Sequence, residues 1–135
     1  MGTWGAGPFE NDAAMDFIGS LRDADPADRV GILSSSLLLA LEQSDYLDAD
    51  DGAAAVAAAA VIALTRSGSG GKDSGPLVDL QIGSVELPAD LLPLARRALG
   101  RVVADNSELR DLWSGSGSLD DDFAREIQNV RQALA

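Results

Sequence analysis

Ala53-Ala54-Ala55-Val56-Ala57-Ala58-Ala59-Ala60-Val61-Ile62-Ala63-Leu64 is the stretch on which the fold turns. It is apolar at every position, so no helical face of it is suited to water, and a helix that is apolar all round is a central one. Its alanines let neighbouring helices approach closely. At twelve residues the run falls well short of the roughly 20 that a membrane span needs, so the stretch predicts a core helix, with Ala53 to Thr65 as its extent. Asp50 and Asp51 precede it, where carboxylates stabilise a helix N-terminus, and Arg66 and Gly68 suit its end.

Two amphipathic segments lie upstream. Asn11 or Asp12 can cap the first, in which Ala14, Phe17, Ile18 and Leu21 fall at offsets 0, 3, 4 and 7 on one face. In the second, Asp25 is placed to cap and Pro26 takes the first helical position, where its missing N–H costs nothing. Asp28 lies in the first turn, and Val30, Leu33, Leu37 and Leu41 form the stripe expected to be buried.

Downstream, residues 67–76 read as a flexible loop by composition, and Leu77 to Leu87 alternates loosely enough for one short extended segment. Helix resumes after Pro88, with Leu91, Leu94, Ala95, Ala98, Leu99, Val102 and Val103 apolar. Pro93 requires that this helix begin only about a turn earlier or be kinked. Asn106 or Ser107 is expected to cap a short piece through Trp113, residues 114–117 form a short linker, and Ser118 is expected to cap a last helix in which Phe123, Ile127, Val130 and Leu134 share a face. The expectation is an all-α single domain over residues 1–135, a compact bundle of five or six helices around the alanine-rich one.

Composition excludes much chemistry. There is no cysteine and no histidine, which removes disulfides, thiolate nucleophiles, a histidine general base and the cysteine- and histidine-based metal sites. The first fifteen residues carry no Lys or Arg and no apolar run, unlike a signal or transit peptide, so a cytoplasmic protein is expected. The net charge is −12, and it is lopsided: residues 1–65 hold eleven acids against Arg22 and Arg29. Such a field repels phosphate backbones and anionic lipid, so neither nucleic acid nor membrane is an expected partner, and a basic protein is a better one. Charge that serves solubility alone is the plainer alternative.

Three motifs fail on register. Residues 69–74 glance at a phosphate-binding loop, but Arg66 stands where its first glycine belongs and Asp73 where Ser or Thr should follow the lysine. Residues 5–10 lack the third glycine of a dinucleotide fingerprint. Asp48-Ala49-Asp50-Asp51-Gly52 is rich in oxygen ligands, yet its glycine comes one position early for a calcium loop and Ala59 stands where the bidentate Glu is needed. No metal site and no cofactor is expected. The remaining catalytic option is a carboxylate pair such as Asp12 with Asp16, or Asp121 or Asp122 with its neighbours, which would make the chain a small carboxylate-dependent hydrolase or ligand-binding domain. Helix surfaces carry such pairs commonly, and no catalytic residue is assigned.

The opening run Gly2-Thr3-Trp4-Gly5-Ala6-Gly7-Pro8-Phe9-Glu10-Asn11-Asp12-Ala13-Ala14-Met15-Asp16 resembles the start of the DUF4259 family, whose pattern is approximately G-x-W-G-x-G-x-F-[ED]-N-D-x-A-x-D. The resemblance continues through Tyr46-Leu47-Asp48-Ala49-Asp50-Asp51-Gly52 and the alanine-rich helix. It implies a small acidic bacterial protein and brings no catalytic residues. Physically the motif reads as an ordered N-terminal arm over residues 1–10: Trp4 and Phe9 anchor it on the helical body, and Asn11 with Asp12 starts the first helix.

The expected function is that of a noncatalytic binding protein whose acidic face engages a basic partner, as immunity proteins and antitoxins do. Glu42, Asp45, Asp48, Asp50 and Asp51 place five carboxylates within ten residues, with Tyr46 as the one aromatic among them. Asp50 and Asp51 are accounted for by the helix they precede. The other three, with Tyr46 as an amphipathic anchor, are the best candidates for an interface, and neither Asp45 nor Asp48 is expected to support the fold.

Overall fold

The first apolar stripe folds as α1 (Asp12–Asp23), with Ala14, Ile18 and Leu21 buried and Phe17 packed partly against the core. The structure is a computed structural model that describes residues 12–43, 45–67, 90–104, 106–109 and 118–134, with side chains described at all of these except 12, 26–27, 64–67 and 118–124. The N-terminal arm with Trp4, Phe9 and Asn11, the loop after residue 67, the extended segment over 77–87 and the linker 114–117 all lie outside the described residues.

A two-residue break at Ala24 and Asp25 separates α1 from α2 (Pro26–Glu42). Pro26 takes the first position as its fixed φ favours. Asp25 stands at the N-cap in extended backbone, but its side chain makes no cap hydrogen bond, a correction to the capping role expected of it. The turn is held instead from the backbone, where the Asp28 amide donates to the Asp25 carbonyl at 2.9 Å. Leu33, Leu37 and Ala40 face inward, and Val30 and Leu41 flank them half-buried.

The alanine-rich helix is α3 (Ala49–Ser67), and its start corrects the expected boundary. Residues 49–52 belong to the helix rather than to the connector, because side chains gathered at its first turn satisfy the amides exposed there. From Ala55 to Ala63 every residue is buried. α3 packs against α1, α2, α4 (Leu91–Val102) and α5 (Ser118–Ala133), so it is the axis of the bundle. That position follows from its composition: only a helix with no polar face can be surrounded, and only small side chains permit it without pushing the neighbours apart.

Pro93 is the third residue of α4, so the helix opens within a turn of it and no interior amide is lost. Leu91, Ala95, Ala98, Leu99 and Val102 face α3 and α2, while Ile127, Val130 and Leu134 seat α5 against the same core. Each fully buried leucine contributes roughly 2 kcal/mol of transfer free energy. The described residues are all-helical, with five helices and no strand; the one bridge among them joins Leu47 to Ser107 in parallel.

Candidate functional site

The acidic connector between α2 and α3 is the region singled out by charge, and its geometry is set by residues far away in sequence. Asn106 adopts φ 64°, the left-handed region that Asn tolerates better than most residues. That turn brings residues 106–108 alongside the connector. The Leu47 amide donates to the Asn106 carbonyl at 2.7 Å, and the Glu108 amide donates to the Leu47 carbonyl at 2.8 Å. Leu47 and Ser107 are fully buried at this crossing, and Gly52 lies beneath it against Leu47 and Leu109.

Two carboxylates close the start of α3. Asp48 Oδ1 accepts from the Asp50 amide at 2.9 Å, and Glu108 Oε1 accepts from the Ala49 amide at 2.8 Å. Asp48 therefore supports the fold, contrary to expectation: it is the cap that starts the helix four residues earlier than the apolar run does. Asp50 and Asp51 sit in the first turn as expected, where the helix dipole favours negative charge. The accumulation has a cost at Asp51, whose carboxyl is raised above its usual range by partial burial and then by the neighbouring charges of Asp48 and Asp50.

One arginine fixes the other side of the corner. Arg101 of α4 donates to the Gln43 carbonyl through Nε at 3.0 Å and through Nη2 at 2.7 Å, and Nη2 also reaches the Asn106 carbonyl at 3.2 Å. Gln43 is the C-cap of α2, so the guanidinium satisfies a helix-end carbonyl with the charge that the dipole prefers. The device recurs. Arg29, only 7% exposed, donates to the Leu21 and Arg22 carbonyls at the end of α1, and Arg96 donates to the Leu134 carbonyl at the end of α5. Three of the described arginines thus bind helix C-termini, a role that net charge does not reveal. The forked guanidinium is suited to this role where an ammonium would hold one carbonyl at a time.

What the frame presents to solvent is acidic. Glu42, Asp45, Asp48 and Asp50 are exposed, Asp51 is half-buried, and Tyr46 is 49% exposed. Asp12 opens α1, and Asp16 on the same helix is exposed. Among the described residues no group of three or more acids is arranged to hold a metal ion.

The family described as a domain of unknown function, DUF4259, matches residues 2–126. The chain belongs to the DUF4259 family. No curated protein and no solved structure matches it. Within this DUF4259 chain the match spans both the N-terminal run and the α2–α3 corner, together with α3, α4 and the segment carrying Asn106 and Glu108. No described helix is long and apolar enough to cross a membrane.

Proposed function

We propose that this DUF4259 chain is a noncatalytic binding protein that engages a basic protein partner through the α2–α3 corner, in the manner of an immunity protein or antitoxin. One observation carries the reading: the corner is held from three directions, by Arg101, by residues 106–108 and by the Asp48 cap, yet it leaves Glu42, Asp45, Asp48 and Asp50 in solvent around a half-exposed Tyr46. A surface already fixed in one conformation loses little entropy on binding. Clustered charge of one sign steers an oppositely charged partner and speeds encounter at low salt. The same reading takes the protein to be cytoplasmic.

The test replaces Glu42 and Asp45 with lysine together. Asp48 is left intact because it caps α3, whereas a lysine at position 42 suits the C-terminal end of α2. The parent protein, immobilised, is expected to capture a basic protein from lysate of its own organism, and the purified partner to associate more slowly as salt rises. The double variant, folded as stably as the parent, is expected to lose that partner. Capture at an unchanged association rate would mean that the acidic corner serves solubility alone.

A further inference from the structure

Among the described residues three large hydrophobic side chains stand exposed: Leu38 at 46%, Leu39 at 43% and Tyr46. Two of them are neighbours on α2, and the face they share is coherent. Asp28, Gly31, Ser35, Leu38, Leu39 and Glu42 are all exposed and recur at helical spacing, within an arc of about 100° of the α2 surface. Leu33, Leu37 and Ala40 occupy the opposite side, in the core. The outer strip is about 20 Å long, near four helical turns. Its middle is low: Gly31 has no side chain, a Cβ built there would meet nothing within 4 Å, and Ser35 is small. Its ends are acidic, with Asp28 at one and Glu42 at the other, and Asp45 follows just beyond.

Scattered exposed leucines need no explanation, but two side by side on a face with no cation form an anchor with a charge preference. The one basic residue of α2, Arg29, points inward to the end of α1. That charge pattern selects the occupant. A second copy would set Asp28 against Glu42 in antiparallel pairing, or each acid against its own equivalent in parallel pairing, and two chains of net charge −12 would have to meet. Anionic lipid and nucleic acid carry the same sign and are repelled likewise. A convex helix surface with low central residues accepts the ridges of another helix.

We infer that the outer face of α2 is the docking strip for a single amphipathic basic helix of a partner protein, with Leu38 and Leu39 packing its apolar stripe and Asp28 and Glu42 pairing with Lys or Arg at its two ends. The inference rests on the basic-partner reading and gives that partner a binding element. The corner carboxylates steer it, and the leucines hold it.

The probe is a synthetic peptide of about 18 residues made of leucine and lysine, with leucines at i, i+3, i+4 and i+7. Its control has the same composition with the leucines out of helical register. Fluorescence anisotropy reads affinity, and amide shifts of the labelled protein locate the contact. The in-register peptide is expected to bind and to shift residues 28–42, and the control to bind more weakly. Replacing both leucines (Leu38→Gln with Leu39→Gln) should cost about tenfold or more in affinity, as removal of a central anchor does. Gly31→Arg keeps the test independent of folding, since it adds helix propensity in open space while placing bulk, and a charge of the same sign as the peptide's, on the strip. It is expected to melt no lower than the parent and to lose the peptide. Equal binding of the two peptides, no binding of either, or affinity unmoved by the variants overturns the inference. The Glu42 and Asp45 lysine variant decides the broader reading separately, because it scores the natural partner.

Discussion

The Glu108 carboxylate accepts the Ala49 amide hydrogen at 2.8 Å across a sequence separation of 59 residues. The start of the central helix is thereby completed by a side chain that arrives only after α4 has been laid down. Asp48 supplies the local half of the same cap. Removing either leaves a first-turn amide without its partner, and cap losses of this kind cost about 1 kcal/mol, with a span of roughly 0.5 to 2. Glu108→Ala and Asp48→Ala are each expected to lower the urea midpoint accordingly. Asp45→Ala, which removes an exposed carboxylate outside the cap, should stay within about 0.5 kcal/mol of the parent. Equal effects at positions 45 and 48 would contradict the capping geometry.

The raised carboxyl of Asp51 makes a directional prediction about pH. A carboxyl raised on folding binds its proton more tightly in the native state, so stability falls as pH climbs from the ordinary aspartate value, near 3.9, through the native one. Above that window the penalty is fully present, and below it the penalty is gone. Asp51→Asn is therefore expected to be more stable than the parent at neutral pH, with the advantage shrinking as the solution is acidified toward the ordinary aspartate value. Urea unfolding at a series of pH values measures it. A gap that stays constant with pH would assign the effect to something other than the charge.

The alanines of α3 make a packing prediction. Ala58 is fully buried in a helix with neighbours on every side, so Ala58→Leu has to displace one of them and is expected to cost about 1 to 3 kcal/mol. Gly52→Ala on the same helix should behave oppositely. A Cβ there would lie 3.5 Å from that of Leu109, ordinary contact, and alanine gains up to about 1 kcal/mol of helix propensity over glycine. Thermal melts of the two variants should move in opposite directions.

The membership of α3 in the core, the inward stripes of α1 and α4, and the onset of α2 at Pro26 were all legible in the residues themselves. Each depends on spacing within one helix or on the chemistry of its first turn, and such local constraints act wherever the segment ends up. The run Leu37-Leu38-Leu39-Ala40-Leu41 marks where that legibility stops. Five consecutive apolar residues on one helix have no preferred face, and the stripe through Leu37 and Leu41 named the inner side without saying that Leu38 and Leu39 would meet water. The packing of α3 and α4 against α2 made that choice.

The acidic connector divides in the same way. Its charge and the presence of Asp50 and Asp51 in a helical first turn followed from sequence. The shift of the helix start to Ala49 did not, because half of its cap comes from Glu108 and the crossing that positions it depends on the left-handed turn at Asn106. The three arginines that close α1, α2 and α5 were equally hidden, since a guanidinium finds a helix-end carbonyl by where its own helix is packed. Periodicity and small side chains are properties of a segment, so they mark α1 to α5 as helices and α3 as the central one wherever those segments come to lie. How the helix ends are satisfied and which apolar residues stay outside depend instead on groups that folding brings together from distant parts of the chain.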